Sequence, residues 1–577
     1  MDINVEELLR QRSTSKFMQK ERGDVVISPQ LPPCRLKILF VVDGYPGSFF
    51  NISFSHSYFD LSTVLDTLRN NPEYFVKFDV TRAHRQIDDD KPDPDGPFEQ
   101  HEFYAPHYEN FRFDQPDFDI NEYDQVWLFG IRAELDFSGE PDPERLTDAE
   151  LLILAQWMDN GGGLFAAGDH DDLGASLCAR VPRVRSMRKW TFSQGTPPPV
   201  GPTRHDSLDK GHDAVYTFDD ESDDKPMSIL PKYYELPSWS PFNRLKVPHP
   251  LLCGSGGVID ILPDHPHEGE VIPEDSIDVA ATFSVGDYST DEYPAVEGVQ
   301  PTPEVIAWAT VQPDHTDITD LNKAAANFKV YGAIGAYEGH DAEVGRVAVD
   351  STWHYWFDVN LTGRPTGSLD TPPFDITNVK TLGFLATDAG RTALARIREY
   401  YRNTAIWLAS APKQRSMFLR AIWGAVLRYP AVERLNVDLP LWELGSHMRS
   451  VLSQRANQCL VTRWLIDIYP VKLFDTFKAM GPQPDTRLTS PPWEAVETYI
   501  LGGITRELLR RMYEHERAFA DLGEETLAAA LVEGANAGTR ELLDSLETSM
   551  RDTQGMVDNL SELMDQSRRS ARDYMEQ

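Results

Sequence analysis

Where this sequence is equipped for chemistry, it offers carboxylates and imidazoles and not an activated thiol or hydroxyl. Asp43 closes the apolar run RLKILFVVDGYPG, residues 35–47, with Tyr45 just beyond it. Asp169 and His170 close GGLFAAGDH, residues 162–170, and Trp353 and His354 follow GRVAVDST. Asp or Glu with His suits general acid/base catalysis or divalent-metal binding, whereas a covalent mechanism needs a nucleophile placed beside its base. The plainer reading of the second motif is that Asp169, Asp171 and Asp172 cap the next helix and His170 is an ordinary polar neighbour.

Two further groups lie in the stretch that follows. His265 and His267 alternate, so in an extended segment they share a face, and Glu268 beside them completes a two-imidazole, one-carboxylate set that a divalent metal ion accepts. His205, His212 and His249 crowd the same stretch; a solvated acidic loop is the alternative. Arg183, Arg185 and Arg188, with Arg180 and Lys189, stand out against an acidic background and suit bidentate capture of a carboxylate or phosphate. Ion pairs with surface carboxylates would account for them equally well.

These residues need elements to gather them. Residues 35–43 read as a central strand of a parallel sheet covered on both faces, because the run is continuously apolar. A helix with Leu61, Val64, Leu65 and Leu68 at helical spacing follows, then strands in YFVKFDVTRAH, YDQVWLFGI and GGLFAAGDH. Thr147 and Glu150 form a capping box for a helix whose stripe is Leu151, Leu154, Ala155 and Met158, stopped by Gly161. Strand character returns in DVAATFSVGD, EVIAWATVQ, FKVYGAIGAY and GRVAVDSTW, which are expected to complete and extend the sheet. The expected fold is α/β, a doubly wound, mostly parallel sheet over residues 36–362 with a large insertion at 171–277. Ligands of such sheets bind outside the carboxyl ends of the strands, so Asp43, Asp169, His170 and His354 should share one rim.

A helical extension over residues 1–35 precedes the sheet, and a Gly/Pro linker, GRPTGSLDTPPFD at 363–375, follows it. Residues 376–577 are expected to form an all-α domain. Its aromatic residues at helical spacing read as core, and Gly502-Gly503 reads as a site of close helix packing. From about Glu524 the chain is charged and helical with thinner apolar stripes, as an exposed helix or partner-binding arm would be.

Composition bounds the partners. With 577 residues and 12 tryptophans the chain supports more than one core. A formal net charge of -36 repels phosphate backbones and argues against nucleic acid. No run is long and apolar enough for a membrane span or a secretory leader. Cys34, Cys178, Cys253 and Cys459 are widely spaced without a CxxC pair, which argues against a disulfide scaffold and a thiolate metal cage and for a reducing cytoplasm.

Strand, helix, GGGLFAAGDH and then GRVAVDSTWHYW together resemble the class I glutamine amidotransferase-like and ThuA-like (trehalose utilisation) superfamily, over roughly the first three fifths of the chain. That resemblance implies a flavodoxin-like domain. It places His354 at the superfamily's histidine after the last core strand and the nucleophile elbow at Gly168-Asp169-His170, where no Cys or Ser stands. Glutaminase chemistry is therefore not expected. Two functions remain open. In one, Asp43, Asp169, His170 and His354 serve a metal-assisted or acid/base hydrolase or isomerase acting on a small polar, carbohydrate-like molecule, with Arg183, Arg185, Arg188, Tyr45 and Trp353 holding substrate and His265, His267 and Glu268 holding metal. In the other, the protein is a non-catalytic ligand sensor or assembly factor that forms a homo-oligomer or recruits a protein through its C-terminal helices.

Overall fold

A computed structural model describes residues 31–43, 61–85, 107–108, 110–135, 138–169, 172–191, 194, 227–236, 245–263, 269–311, 329–362, 383–428, 437–453, 456–468, 493–514 and 523–576. The chain divides into two compact units, one made of Pro33–Phe418 and Leu452–Pro492, the other of Met1–Pro32, Leu419–Val451 and Trp493–Gln577.

Among the described residues, the first unit is built on a sheet of nine strands: β1 (Cys34–Val42), β2 (Val76–His84), β3 (His107–Tyr108), β4 (Gln125–Phe129), β5 (Gly163–Ala167), β6 (Leu230–Pro231), β7 (Glu304–Val311), β8 (Lys329–Tyr337) and β9 (Val347–Asp350). Their order is β3-β2-β1-β4-β5-β9-β8-β7-β6. From β3 to β9 every pairing is parallel. Beyond β9 the sheet continues with antiparallel pairings through β8 and β7 to β6. The α/β class, with a mostly parallel sheet followed by a helical region, is thus observed. DVAATFSVGD departs from expectation: Thr282–Val285 pairs with Tyr288–Asp291 in a separate hairpin. Its alternating burial, in which only Phe283 and Val285 are covered, suits a two-stranded ribbon, whereas the central strands are buried on both faces.

Helices cover both faces: α1 (Ser62–Arg69), α2 (Asp148–Asp159), α3 (Ala175–Cys178), α4 (Val184–Met187), α5 (Asp358–Leu361) and α6 (Asp388–Trp407). On one face, Leu39, Val41, Val126, Leu128, Leu164, Ala166, Val347 and Val349 pack with the α2 stripe Leu151, Leu154, Ala155 and Met158. The α2 capping box is present, and Glu150 also accepts from Phe113 N and from the guanidinium of fully buried Arg85. On the other face the strands present aromatic rings. Phe40 stacks on Trp127 at 4.9 Å between centroids, and Phe165 meets Trp356 at 4.5 Å. Helix α6 closes this layer, with Tyr400 and Tyr401 against Trp356 and Gln125 donating to Ala405 O. Helix α6, which follows the 363–375 linker in the chain, is therefore a layer of the sheet unit, to which residues up to Phe418 belong. The linker and residues 1–30 of the expected 1–35 extension lie outside the described residues, and the last two residues of that extension, Cys34 and Arg35, open β1.

The chain continues through α7 (Ala411–Arg428), α8 (Leu441–Leu452), α9 (Gln458–Ile468), α10 (Trp493–Glu514) and α11 (Glu524–Glu576). Helix α9 returns to the sheet unit: Trp464 packs on Phe75, and Cys459 is joined by a disulfide to Cys253 of the insertion, with Cα atoms 6.1 Å apart. This corrects the inference drawn from cysteine spacing. The two are separated by 206 positions, and only the return of α9 brings them together. Within the insertion, the described residues form short hairpins, among them Tyr233–Leu236 with Leu245–Pro248.

In the second unit, α10 and α11 approach closely because both carry glycine at the crossing. A side chain on Gly503 would overlap Gly534, and one on Gly538 would overlap the carbonyl of Tyr499. Gly502 meets the Leu441 carbonyl in the same way, so the Gly502-Gly503 pair serves packing as expected. Buried Leu527, Ala530, Leu531, Ala535 and Leu542 mark the covered part of α11.

Candidate acid/base site at the sheet rim

Because β1, β4, β5 and β9 are parallel neighbours in the sheet, the residues that follow them emerge at one edge. Asp43, after β1, is fully buried and accepts hydrogen bonds from Ile131 N at 2.6 Å and Arg132 N at 3.4 Å, both just beyond β4. Burial pushes its carboxyl up to about 7, although these two N–H groups and the charges of Arg85 and Arg132 favour the ionised form.

Asp169 and His354 meet. Asp169 Oδ2 lies 3.6 Å from His354 Nε2, while its Oδ1 accepts from the Thr352 hydroxyl at 3.0 Å. The other ring nitrogen of His354, Nδ1, lies 3.0 Å from Asn360 Oδ1 in α5, and the ring lies tilted against Trp353 with centroids 4.1 Å apart. The backbone sets this geometry. Trp353 N donates to Gly168 O at 2.7 Å, locking the turn after β9 to the end of β5. Thr352 caps that turn by accepting from His354 N at 2.9 Å. Gly168 and Gly174 approach so closely that a side chain on either would strike the other segment, and Gly174 has φ +97°, a conformation glycine takes without steric cost. Asp169 N donates to Leu173 O.

Thr352, Asn360 and Asp350 belong to this neighbourhood and were not singled out from the sequence. Asp350, the last residue of β9, is fully buried, accepts from Trp356 Nε1 at 2.7 Å and Tyr400 OH at 2.6 Å, and is raised to about 7 by burial against those bonds. Its place at a strand end was the available signal.

The arginines do not converge on an open anion site. Arg183, buried with φ +67°, donates to the Glu292 carbonyl and pairs with Asp159; Arg185 pairs with the Glu292 carboxylate. Both tie the Tyr288–Asp291 hairpin region to the sheet unit. Arg188 sits at the rim, donating to Asp169 O at 2.6 Å and Ser351 O at 2.7 Å with its plane over Trp190. Cys178 is a buried free thiol that burial, and then the Asp43 charge, push upward, the reverse of an activated nucleophile. His249 is a core histidine, lowered by burial, accepting from Leu251 N and packed on Trp407.

Tyr45, His170, His265, His267 and Glu268 lie outside the described residues. Among the described residues no group of three or more His, Cys, Asp or Glu is placed to hold a metal ion, and no helix is long and apolar enough to cross a membrane. No family model and no curated protein matches the chain.

Proposed function

We propose that the sheet rim is the acid/base centre of a hydrolase or isomerase acting on a small polar, carbohydrate-like molecule, in a flavodoxin-like domain of the class I glutamine amidotransferase-like and ThuA-like type. The fold part of this reading is supported by the order β2-β1-β4-β5-β9, which is the flavodoxin order when those five strands are counted along the chain, with β3 added at the edge. The observation that carries the chemistry is the contact of Asp169 with His354, 3.6 Å apart after two adjacent parallel strands. With Nδ1–H donated to Asn360, Nε2 is the nitrogen that takes and returns a proton, and Asp169 stabilises the imidazolium that results. Asp43, poised near neutrality, supplies the complementary acid or base on the neighbouring strand ends.

The experiment is a screen of the full chain against small esters, amides, lactones and glycosides, repeated with Asp169→Asn and His354→Gln. A loss of roughly 10²–10⁴-fold in each variant is expected, with Cys178→Ser unchanged; variants as active as the parent would refute the assignment. The metal-assisted form places a divalent ion on His265, His267 and Glu268. Stoichiometric metal in the purified chain that disappears in His265→Ala supports it, and metal-free protein with full activity removes it. The reading as an assembly protein is favoured by one observation, the exposed second half of α11. The Cys253–Cys459 bond favours oxidising surroundings over the cytoplasm expected from cysteine spacing.

A further inference from the structure

Helix α11 changes character along its length. Up to Leu542 it presents buried residues, whereas from Glu547 through Arg572 every residue is exposed. That exposed stretch is not polar all round. Met550 is 69% exposed, Leu560 and Leu563 each 59%, Met564 58% and Val557 50%, and Met556 and Met575 are more than half exposed as well. Monomeric proteins rarely leave such a strip bare, and specific dimers bury on the order of 800 Å² per partner, a size that seven half-exposed large side chains on one helix can reach.

The spacing is that of a coiled coil. Leu543, Leu546, Met550, Thr553, Val557, Leu560, Met564, Ser567 and Ala571 alternate intervals of three and four, placing Leu543, Met550, Val557, Met564 and Ala571 at a and Leu546, Thr553, Leu560 and Ser567 at d. Flanking e and g positions decide the occupant. Between 547 and 570 they are Glu547, Ser549, Gln554, Met556, Ser561, Leu563, Arg568 and Ser570, so only two carry charge, in a chain of net charge -36. The remaining charges, including Asp544, Arg551, Asp558, Glu562, Asp565, Arg569 and Arg572, fall on the outer positions.

Orientation follows from the same residues. In a parallel pair, g faces the following e of the partner, which sets apolar Leu563 against Arg568 and Met556 against Ser561. In an antiparallel pair, e faces e and g faces g. Centred between Asp558 and Asn559, that register layers Val557 on Leu560, Met550 on Ser567 and Met564 on Thr553, and also brings Met556 to Leu563, Ser549 to Ser570 and Glu547 to Arg568. Every flanking pair is then matched in kind, and the two charges neutralise each other. We infer that residues 543–571 of α11 pair with the same segment of a second copy of this chain as an antiparallel two-stranded coiled coil.

Mass in solution and cross-linking of the full chain test this. The parent should be a dimer at micromolar concentration, and Val557→Asp with Leu560→Asp should give a monomer of 65.3 kDa with unchanged helicity. Mixing a Ser549→Cys chain with a Ser570→Cys chain should give a disulfide-linked dimer that neither variant forms by itself. A monomeric parent, a dimer that survives the double Asp variant, or cross-links in the unmixed samples and none in the mixture would each overturn the proposal.

Discussion

At the scale of single residues, two buried carboxyls link the rim to pH. Asp43 and Asp350 both have folded values near 7 against an ordinary 3.8, because burial penalises their charge more than their hydrogen bonds favour it. A carboxyl raised in this way contributes stability that is complete below the unfolded value and is lost as pH climbs through the folded one, since between the two the folded chain holds a proton that the unfolded chain has released. Each group should lower stability by about 1.4 kcal/mol per pH unit across that window. Asp350→Asn should flatten the urea midpoint between about pH 4 and pH 7; an unchanged slope would show that Asp350 is not a source of it. The proposed acid/base role predicts that Asp43 gives the kcat/KM profile a limb near neutrality, which Asp43→Asn removes. The buried pair of Arg85 and Glu150, 2.5 Å apart with both side chains fully covered, carries a different liability. Burial by itself would raise the Glu150 carboxyl, but Arg85 and the N–H groups of Thr147 and Phe113 hold it below its ordinary value. Arg85→Ala leaves that carboxylate buried and unpaired, and should cost about 3–5 kcal/mol in denaturant titration.

Elements explain what was legible beforehand. The strand ends carrying Asp43, Asp169 and His354 could be read because a continuous apolar run followed by a polar residue is a local pattern, as is the Thr147 and Glu150 capping box. Asn360 and Thr352 were not visible, since their roles arise from a turn that folds back from β9 onto β5, and neither residue type announces a partner at a distance. For the arginine cluster the sequence left anion capture and ion pairing equally open; it shows five cations together but hides Glu292, which claims Arg183 and Arg185 from about a hundred positions away. The disulfide was hidden likewise by its separation of 206. Contact between α10 and α11 makes its own prediction. Gly503→Ala places a methyl against the Gly534 backbone, and overpacking of that sort costs typically about 1–3 kcal/mol. Thermal melts of the full chain should show the loss, whereas Gly555→Ala, with open space around it, should stabilise the helix by roughly 0.5–1 kcal/mol.

For the molecule as a whole, the sheet unit is discontinuous in sequence. Removing the covalent tie between the insertion and α9 with Cys459→Ser should lower stability by about 2–4 kcal/mol if the long closed loop restrains the unfolded chain as polymer arguments require; melting the parent with and without reductant measures it independently. A chain cut within 363–375 would lack α6 and should aggregate, because Phe40, Trp127, Phe165 and Trp356 would lose the Tyr400 and Tyr401 layer. That aromatic face also bears on how the protein is made. Synthesis runs from the N-terminus at about 5–20 residues per second, so several seconds, on the order of 5 s, pass between the emergence of β9 and that of α6. Throughout that interval the sheet waits on the ribosome without the Tyr400 and Tyr401 layer, and the nascent chain is a natural client for chaperones that shield aromatic surface until α6 arrives.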